Sequence, residues 1–330
     1  MINNENRTKS FKLLLLIAAV LIVVGVAGAW LVVDSVSSGN TVTLEEEINI
    51  AGVDHVSVRT SIQRVRVRPV DGDVARVVSS GIPANATLIV EVENGALTVE
   101  TRMPRQFNVG INFSGFRQLT DSPTLDVYLP AVVYEQVTIN STTGRVEIAN
   151  FAINDLQIEV TTGGIEISDI FGNVNARTTT GRITASGITG ENLRFRATTG
   201  NVELTDMVGN VNAETSTGRI TAAGVIGDEL SFRATTGNVE LSHVTGHIEG
   251  QTNTGRITFN NETVSQNVNL QATTGNISVN LEREPENAIF SLSTTTGRTT
   301  IFGDNSSSQR FGDSRYEVTL RTTTGRITVE

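Results

Sequence analysis

The sequence predicts an all-β protein whose main part is a single-chain parallel β-solenoid, or β-helix, of about 18 to 19 residues per coil. A Thr-Gly step recurs through residues 137–281 at successive spacings of 19, 18, 19, 18, 19, 18 and 20 residues, which marks an internal repeat. Between the glycines, apolar residues alternate with polar ones at period two, the periodicity of a β-strand. Strands this short bury their inward residues only by stacking coil upon coil.

The Thr-Gly steps predict one corner of every coil. Glycine supplies the positive φ that a tight turn needs, and equivalent threonines of stacked coils lie about 4.8 Å apart. The steps are Thr143-Gly144, Thr162-Gly163, Thr180-Gly181, Thr199-Gly200, Thr217-Gly218, Thr236-Gly237, Thr254-Gly255 and Thr274-Gly275, followed at longer gaps by Thr296-Gly297 and Thr324-Gly325. We expect a structural ladder of threonines beside these turns.

A second interpretation of the same threonines is ligand recognition by a flat Thr array, as in ice-binding solenoids. Threonines stand at alternate positions in some coils, as at Thr178 and Thr180. Alanine breaks the pair in the intervening coils, at Ala197, Ala234 and Ala272, and Arg or Asn follows each glycine in these coils. Such a surface is a poor ice-binding face, so the structural role is favoured.

A second set of glycines falls nearly midway between the Thr-Gly steps, so the chain is predicted to turn about every nine residues. These glycines are Gly172, Gly190, Gly209, Gly227 and Gly246. Leucine-rich repeats have a similar length, but their closely spaced leucines and Asn ladder are missing, and a propeller blade needs about twice as many residues.

Residues 182–218 and 219–255 are 37-residue copies of one another, so consecutive coils alternate in sequence. Arg182, Arg219 and Arg256 follow every second corner glycine, and Asn201 and Asn238 follow the glycines between them. Because like charges on adjacent strands destabilise a sheet, we expect this alternation to keep the arginines two coils apart. Glu203 and Glu240 are predicted to lie diagonally near these arginines on an exposed face.

Composition excludes several classes of function. The chain has 330 residues and no Cys, which excludes disulfides and thiolate chemistry. Its formal net charge is −10, and after residue 12 the remaining 22 Arg stand against 34 acidic residues. An acidic chain with scattered Arg has no basic footprint for nucleic acid.

Residues 13–33 form an uncharged apolar run of 21 residues, long enough to cross a bilayer as one helix. The basic head, residues 1–12, precedes it, and no positive charge follows until Arg59, so the N-terminus is predicted to be cytoplasmic and the rest extracytoplasmic. The alternative is a cleaved signal peptide, since Ala27-Gly28-Ala29 resembles a cleavage site. The length of the apolar run favours an uncleaved single-pass anchor in the cell membrane.

The domain organisation then follows from changes in the repeat. Residues 34–43 form a polar linker, residues 44–136 are interpreted as degenerate first coils, and residues 137–330 as the regular Thr-Gly solenoid. The loop 104–123 interrupts the first coils and contains Phe107, Phe113 and Phe116, either to cover the solenoid or to bind a partner. Residues 303–315 form a similar insertion.

The chain ends at Glu330 within a predicted strand. If that strand is an uncovered edge, it would invite pairing with another molecule, so a homo-oligomer through the C-terminal end of the solenoid is possible. The candidate contact face comprises Arg182, Arg219 and Arg256 together with Phe107, Phe113 and Phe116.

The segment Leu125-Asp126-Val127-Tyr128-Leu129-Pro130, followed by Tyr134, Val137, Ile139 and Ser-Thr-Thr-Gly-Arg-Val-Glu-Ile at residues 141–148, resembles the bacterial putative-adhesin family, a domain of unknown function. The resemblance covers roughly residues 44–330. It implies an envelope-facing β-solenoid, often behind one membrane segment. It also implies an adhesin-like role, and some members accompany envelope-stress regulators.

No catalytic, cofactor or metal site is predicted. Asp169 and Asp206, and Glu147, Glu166, Glu203 and Glu240, stand at repeated positions, whereas an active site should break the repeat. His243 and His247 lack a third metal ligand. The sequence therefore predicts a non-enzymatic adhesin-like binding or scaffolding module, whose partner is an envelope protein or polysaccharide. The alternatives are an accessory or sensor of envelope-stress signalling and, from another class, a carbohydrate-active enzyme.

Overall fold

The computed structural model describes residues 41–104 and 122–330. All the regular secondary structure of these residues is β-strand, and most strand pairs are parallel. Within the two ranges, no helix is long and apolar enough to cross a membrane. The predicted transmembrane helix 13–33 and the loop phenylalanines Phe107, Phe113 and Phe116 lie outside the described residues.

Six long strands form the regular middle of the solenoid. They are β9 (Val146–Thr162), β10 (Ile165–Thr180), β11 (Ile183–Thr199), β12 (Val202–Thr217), β13 (Ile220–Thr236) and β14 (Val239–Thr254). Each fills a whole coil between two Thr-Gly corners and pairs in parallel with the next coil along its length. The expected division into nine-residue strands is therefore wrong, because each strand of 16 or 17 residues runs past the midway corner, with only a local irregularity in the pairing there.

The strands β10 to β14 each bend at a left-handed residue three positions before the midway glycine, and β9 bends at the equivalent Asn150. Asp169, Asp206 and His243 have φ of 52° to 54°, and Gly187 and Gly224, in the coils between them, have φ of 64° and 65°. A Cβ on Gly187 would lie 2.7 Å from Oδ1 of Asp169, and one on Gly224 would lie 2.5 Å from Oδ1 of Asp206. In the coils of β10 to β13, each aspartate therefore occupies the space that a side chain of the next coil would need, and Asp alternates with Gly.

The alternating spacing of 18 and 19 residues arises at the midway corner. The parallel register slips by one residue there, between Thr189 and Asn192 of one coil and Val208 and Asn210 of the next. The extra residue of the longer coil follows its midway glycine, as at Glu191. Backbone hydrogen bonding is maintained around it, because Oδ1 of Asn173 in the preceding coil accepts from the Asn192 N–H at 2.9 Å.

The core runs along the axis of the solenoid and is filled by large and small side chains in turn. Phe195 and Phe232 lie fully buried in alternate coils, and Ala213 lies between them in register. Gly250 follows Phe232, and a Cβ at that position would lie 2.7 Å from Leu270. Two consecutive coils are therefore needed to fill one layer of the core at the density of a protein interior.

The N-terminal end is built from shorter strands. They are β1 (Thr41–Asn49), β2 (His55–Thr60), β3 (Arg64–Val70), β4 (Val74–Pro83), β5 (Thr87–Glu93), β6 (Ala96–Arg102), β7 (Thr124–Pro130) and β8 (Val133–Thr143). The linker predicted for residues 34–43 therefore extends too far, because β1 begins at Thr41. Strands β1, β4 and β5 pair antiparallel, as β1 with β4, β4 with β7 and β5 with β6.

The first coils do not stack in chain order. The coil of β2 and β3 lies between two coils that come later in the sequence, because β2 pairs with both β6 and β8, and β3 with both β7 and β9. The interpretation of residues 44–136 as successive coils is therefore only partly right. The Leu129-Pro130 step ends β7 here, and the buried Tyr134 donates its hydroxyl to the Pro130 carbonyl at 2.9 Å. Burial raises the pKa of Tyr134 to about 12.

The C-terminal end repeats this arrangement. Its strands are β15 (Ile257–Asn261), β16 (Val268–Thr274), β17 (Ile277–Leu281), β18 (Ala288–Thr296), β19 (Thr299–Ile301), β20 (Ser308–Arg310), β21 (Tyr316–Thr324) and β22 (Ile327–Val329). Strand β21 lies between β16 and β18, and β22 lies between β17 and β19. The last coil of the sequence is therefore inserted before the coil of β18 and β19.

The expectation of an uncovered edge at Glu330 is wrong, because β22 is paired on both sides. The outer coil is that of β18 and β19, and β20 pairs antiparallel with β18. Phe302 and Phe311, from either end of the predicted insertion 303–315, form edge-to-face contacts with Phe290 at centroid distances of 6.3 Å and 5.8 Å. The insertion covers this end of the core, and homo-oligomerisation through it stays a prediction.

Candidate binding surface

The Thr-Gly corners bring backbones of successive coils unusually close together. The ten corner glycines have φ between 143° and 158°. A Cβ on Gly218 would lie 2.0 Å from the carbonyl oxygen of Gly200, and one on Gly237 would lie 1.6 Å from that of Gly218. Glycine is required here by the approach of the neighbouring coil as well as by φ. The ladder threonines that precede these glycines are exposed and stack in register.

Neighbouring corners are joined in pairs by side-chain hydrogen bonds. The buried Thr215 donates to the carbonyl of Gly200 at 2.9 Å. Oδ1 of Asn201 accepts from the backbone N–H of Arg219 at 3.0 Å. The same two bonds recur one pair of coils later, from Thr252 to Gly237 and from the Arg256 N–H to Asn238. The alternation of Thr with Ala and of Arg with Asn is therefore a hydrogen-bonding pattern, in addition to the separation of charge.

The three arginines of the candidate contact face are exposed, and Arg182 and Arg219 each pair with a glutamate of the next coil along the chain. Arg182 lies 3.4 Å from Glu203, and Arg219 lies 3.4 Å from Glu240, as the sequence predicted. Exposed pairs of this kind contribute about 0 to 1 kcal/mol each. Together with the hydrogen bonds of the corners, they fix the register of neighbouring coils.

The repeated carboxylates do not converge on one site. Glu166 pairs with Arg145 at 2.9 Å, and Glu147 lies 3.8 Å from Arg64. Asp169 and Asp206 occupy the left-handed bends, three residues before the midway corner. His243 also occupies such a bend, and the nearby His247 lines a groove. In residues 41–104 and 122–330, no cluster of three His, Cys, Asp or Glu side chains is placed to hold a metal ion.

A groove of about 620 Å³ runs across the coils of β9 to β14, beyond the midway corner. We call it the amide groove, because amide side chains line it in the four coils of β9 to β12. Its outward-facing lining is Asp155, Gln157, Asn173, Asn175, Asn192, Arg194, Asn210, Asn212, Glu229, Ser231, Arg233, His247 and Glu249. Of these residues, only His247 was considered as a candidate from the sequence.

Some polar groups of the amide groove are already satisfied within the protein. Asn173 and Asn210 accept backbone N–H groups of the following coils at 2.9 Å, and Arg233 pairs with Glu249 at 2.9 Å. Oδ1 of Asn175 and Oγ of Ser231 are shielded and make no hydrogen bond to any described residue. Shielded polar atoms without partners are costly, so a ligand hydroxyl or a water molecule that bonds to them would be stabilised.

Comparison with known proteins identifies the family. The profile of the Toastrack DUF4097 family matches residues 53–235 and 174–330, which together span nearly all of the described chain. The chain belongs to the Toastrack DUF4097 family. This confirms the resemblance carried by residues 125–148. No curated protein matches the chain.

Several solved structures are similar to this Toastrack chain at low sequence identity. A putative adhesin from Parabacteroides merdae is 10% identical, over 88% of this chain and 98% of that one, with a TM-score of 0.46. A putative adhesin from Bacteroides fragilis is 11% identical, over 88% and 97% of the two chains, with a TM-score of 0.36. A putative cell adhesion protein from Clostridium sporogenes is 9% identical, over 88% and 99%, with a TM-score of 0.24.

The sequence contained a signal for the amide groove of this Toastrack protein. Asn recurs two residues apart after the midway glycine in the coils of β10 and β12, at outward positions of a strand, and Gln157 of β9 pairs in register with Asn175. Because Asn is depleted in strands, a column of Asn on one face is a departure that needs a reason. Asn173 and Asn210 have a structural role, because they accept hydrogen bonds from the backbone of the longer coils. Asn175 and Asn212 form the row of amides presented to the groove.

Proposed function

We propose that this protein is a membrane-anchored, extracytoplasmic binding module that holds an envelope polysaccharide along the amide groove, without catalysis. The observation that carries the proposal is the row of amide, hydroxyl and arginine side chains that the coils of β9 to β13 present along the groove. Amides and hydroxyls both donate and accept hydrogen bonds, so a row of them suits a ligand with many hydroxyl groups. A repeating protein surface also suits a repeating polymer.

Binding in the groove is tested by the retention of the full chain on immobilised envelope polysaccharides. The triple variant Asn175→Ala, Arg194→Gln and Asn212→Ala should lose retention. The matched control is Arg219→Gln with Arg256→Gln, which changes the contact face predicted from the sequence. Loss of retention in the control alone would place the ligand on the Thr-Gly corner face instead.

The absence of catalysis is tested on the same polysaccharides. We expect no new reducing or unsaturated ends after prolonged incubation with the full chain. If such ends appear and the groove variant abolishes them, the protein is an enzyme of the same groove and the binding proposal fails.

The membrane anchor rests on the 21 apolar residues 13–33 behind a basic head. A reporter that is active only outside the cytoplasm should work when fused after Glu330, and the intact protein should remain with membranes. A mature N-terminus at Trp30 would show a cleaved signal peptide, which would contradict the anchor but leave the export.

A further inference from the structure

A stripe of exposed apolar residues runs along the solenoid on the other side of the midway corner from the amide groove. Val133, Phe171, Val208 and Ile226 are 65%, 64%, 47% and 56% exposed, respectively. Parallel pairing places them in one column with Ala152 and Thr189, in the order Val133, Ala152, Phe171, Thr189, Val208 and Ile226. We call this column the apolar stripe.

The apolar stripe differs from the rest of the described surface because its exposed apolar side chains share one column. It occupies six consecutive coils, so at about 4.8 Å per coil it is about 24 Å long. Elsewhere in the described residues, exposed large hydrophobic side chains are scattered, as at Val74 and Val92. Contiguous exposed apolar surface, unlike single exposed residues, marks a site of interaction. Nothing in the fold requires apolar residues here, because Thr189 occupies the same position.

Carboxylates predominate along both sides of the stripe, and the exceptions lie at its ends, where Arg68 is exposed near Ala149 and His243 occupies the bend of β14. Asp169 and Asp206 lie at the left-handed bends on one side, and the midway corner on the other side carries Glu135, Asp155, Glu191, Asp228 and Glu229, all exposed. In the coil of β11, the first arginine after the midway corner is Arg194. It lies two residues after Asn192, in the amide groove. The stripe is therefore an apolar strip within a negatively charged border.

This charge pattern decides among the possible occupants. A second copy of the chain would bring acidic borders against each other, and an anionic bilayer would meet the same repulsion. A positively charged partner is attracted at both borders. A helix of 24 Å has about 16 residues, and its apolar residues recur along one face at each 5.4 Å turn, close to the spacing of the coils.

We propose that the apolar stripe binds a cationic amphipathic helix of about four turns, which belongs to another protein. The apolar face of the helix covers Phe171, Val208 and Ile226, and its Lys or Arg residues lie beside the acidic borders. This is helix binding along a hydrophobic strip, with anchors spaced at i, i+4, i+7 and i+11. The site is separate from the amide groove, and it stands whether or not a polysaccharide binds there.

The probe for the test is a fluorescent 16-residue helical peptide of Leu and Lys with the Leu residues on one face. It is titrated against the full chain in zwitterionic nanodiscs, and binding to empty nanodiscs is subtracted. Phe171→Ser with Ile226→Ser should weaken binding by at least about tenfold, since each side chain loses burial of apolar surface. Val74→Ser with Val92→Ser, the same kind of change at exposed positions outside the stripe, should leave binding unchanged. Equal binding by both variants would overturn the proposal.

The charge requirement has its own variant and its own peptide. Asp169→Asn with Asp206→Asn keeps residues that tolerate the left-handed bend, and it should weaken binding and reduce its dependence on salt. A peptide with Glu in place of Lys should not bind. Binding of the Glu peptide as tightly as the Lys peptide would show that the acidic border plays no part, and would overturn the proposal.

The occupant is identified by a label in the stripe itself. Because the chain has no Cys, Thr189→Cys can carry a single environment-sensitive dye, with Thr198→Cys on the opposite face as the control. The dye at position 189 should shift to the blue only when the Lys peptide is added. A shift in nanodiscs without peptide would mean that the bilayer covers the stripe, and a shift that depends on protein concentration would mean a second copy. Either result would overturn the proposal.

Discussion

Adding one methyl group at the corner glycine Gly218 tests whether the close approach of neighbouring coils requires glycine there. A Cβ there would lie 2.0 Å from the carbonyl oxygen of Gly200, so one backbone must move. The φ of 156° adds strain of about 1–3 kcal/mol for a residue with a side chain. The movement also weakens the hydrogen bond from the Gly218 N–H to Thr236, which is 3.0 Å long, at about 1–3 kcal/mol. Gly218→Ala should therefore lower the free energy of unfolding by about 2–6 kcal/mol.

Urea unfolding of the full chain, followed by circular dichroism, measures this loss. Gly72→Ala is the matched control, because Gly72 has φ of 97° but no atom lies within 4 Å of the added Cβ. Gly72→Ala should therefore lower the free energy of unfolding by the backbone strain alone, about 1–2 kcal/mol. If the two variants unfold at the same urea concentration, contact between coils is not what demands glycine, and the argument from close approach is refuted.

Three further predictions concern stability. Thr215→Ala leaves the carbonyl of the preceding corner glycine without its donor and should cost about 1 kcal/mol, whereas Thr217→Ala on the exposed ladder should cost less than about 0.5 kcal/mol. The reverse order in urea melts would contradict the assignment of the hydrogen bond. Arg219→Gln with Arg256→Gln should cost at most about 1 kcal/mol per pair, and a larger loss would show that this face is covered by another molecule. Burial raises the pKa of Tyr134 to about 12, from about 10 in the unfolded chain, so stability is fully present below about pH 10 and declines as the pH rises toward 12. Tyr134→Phe should remove this part of the decline, and an unchanged alkaline profile would exclude Tyr134 as its source.

The parts of the fold that follow from periodicity could be predicted from the sequence. The Thr-Gly spacing defined the coil, and the period-two pattern defined the inward residues, which form the buried core. The diagonal pairs of Arg182 with Glu203 and Arg219 with Glu240 also followed, because strand geometry places outward residues of stacked coils in columns. These predictions depended only on repetition.

The parts that could not be predicted depend on contacts between coils. Asp169 was noted only as a carboxylate at a repeated position, whereas it occupies a left-handed bend and fills the space beside Gly187 of the next coil. The insertion of β2 and β3 between later coils leaves no periodic trace, because each short strand shows the same alternation wherever it is placed. The amide groove and the apolar stripe are columns across coils, and a column becomes visible only when the parallel register is known.

Because neighbouring corners are joined in pairs, the length of such a solenoid should change in steps of two coils. Removing one coil, such as residues 202–219, would set Phe195 beside Phe232 in the core and bring Gly187 and Gly224 together at the bend. Removing or adding 37 residues preserves every alternation and changes the length by about 9.6 Å. Both ends are closed by coils out of chain order, so new units fit only in the middle. Members of such a lineage should therefore differ in length by whole pairs of coils, and the grooves and stripes on their surfaces should lengthen in the same steps.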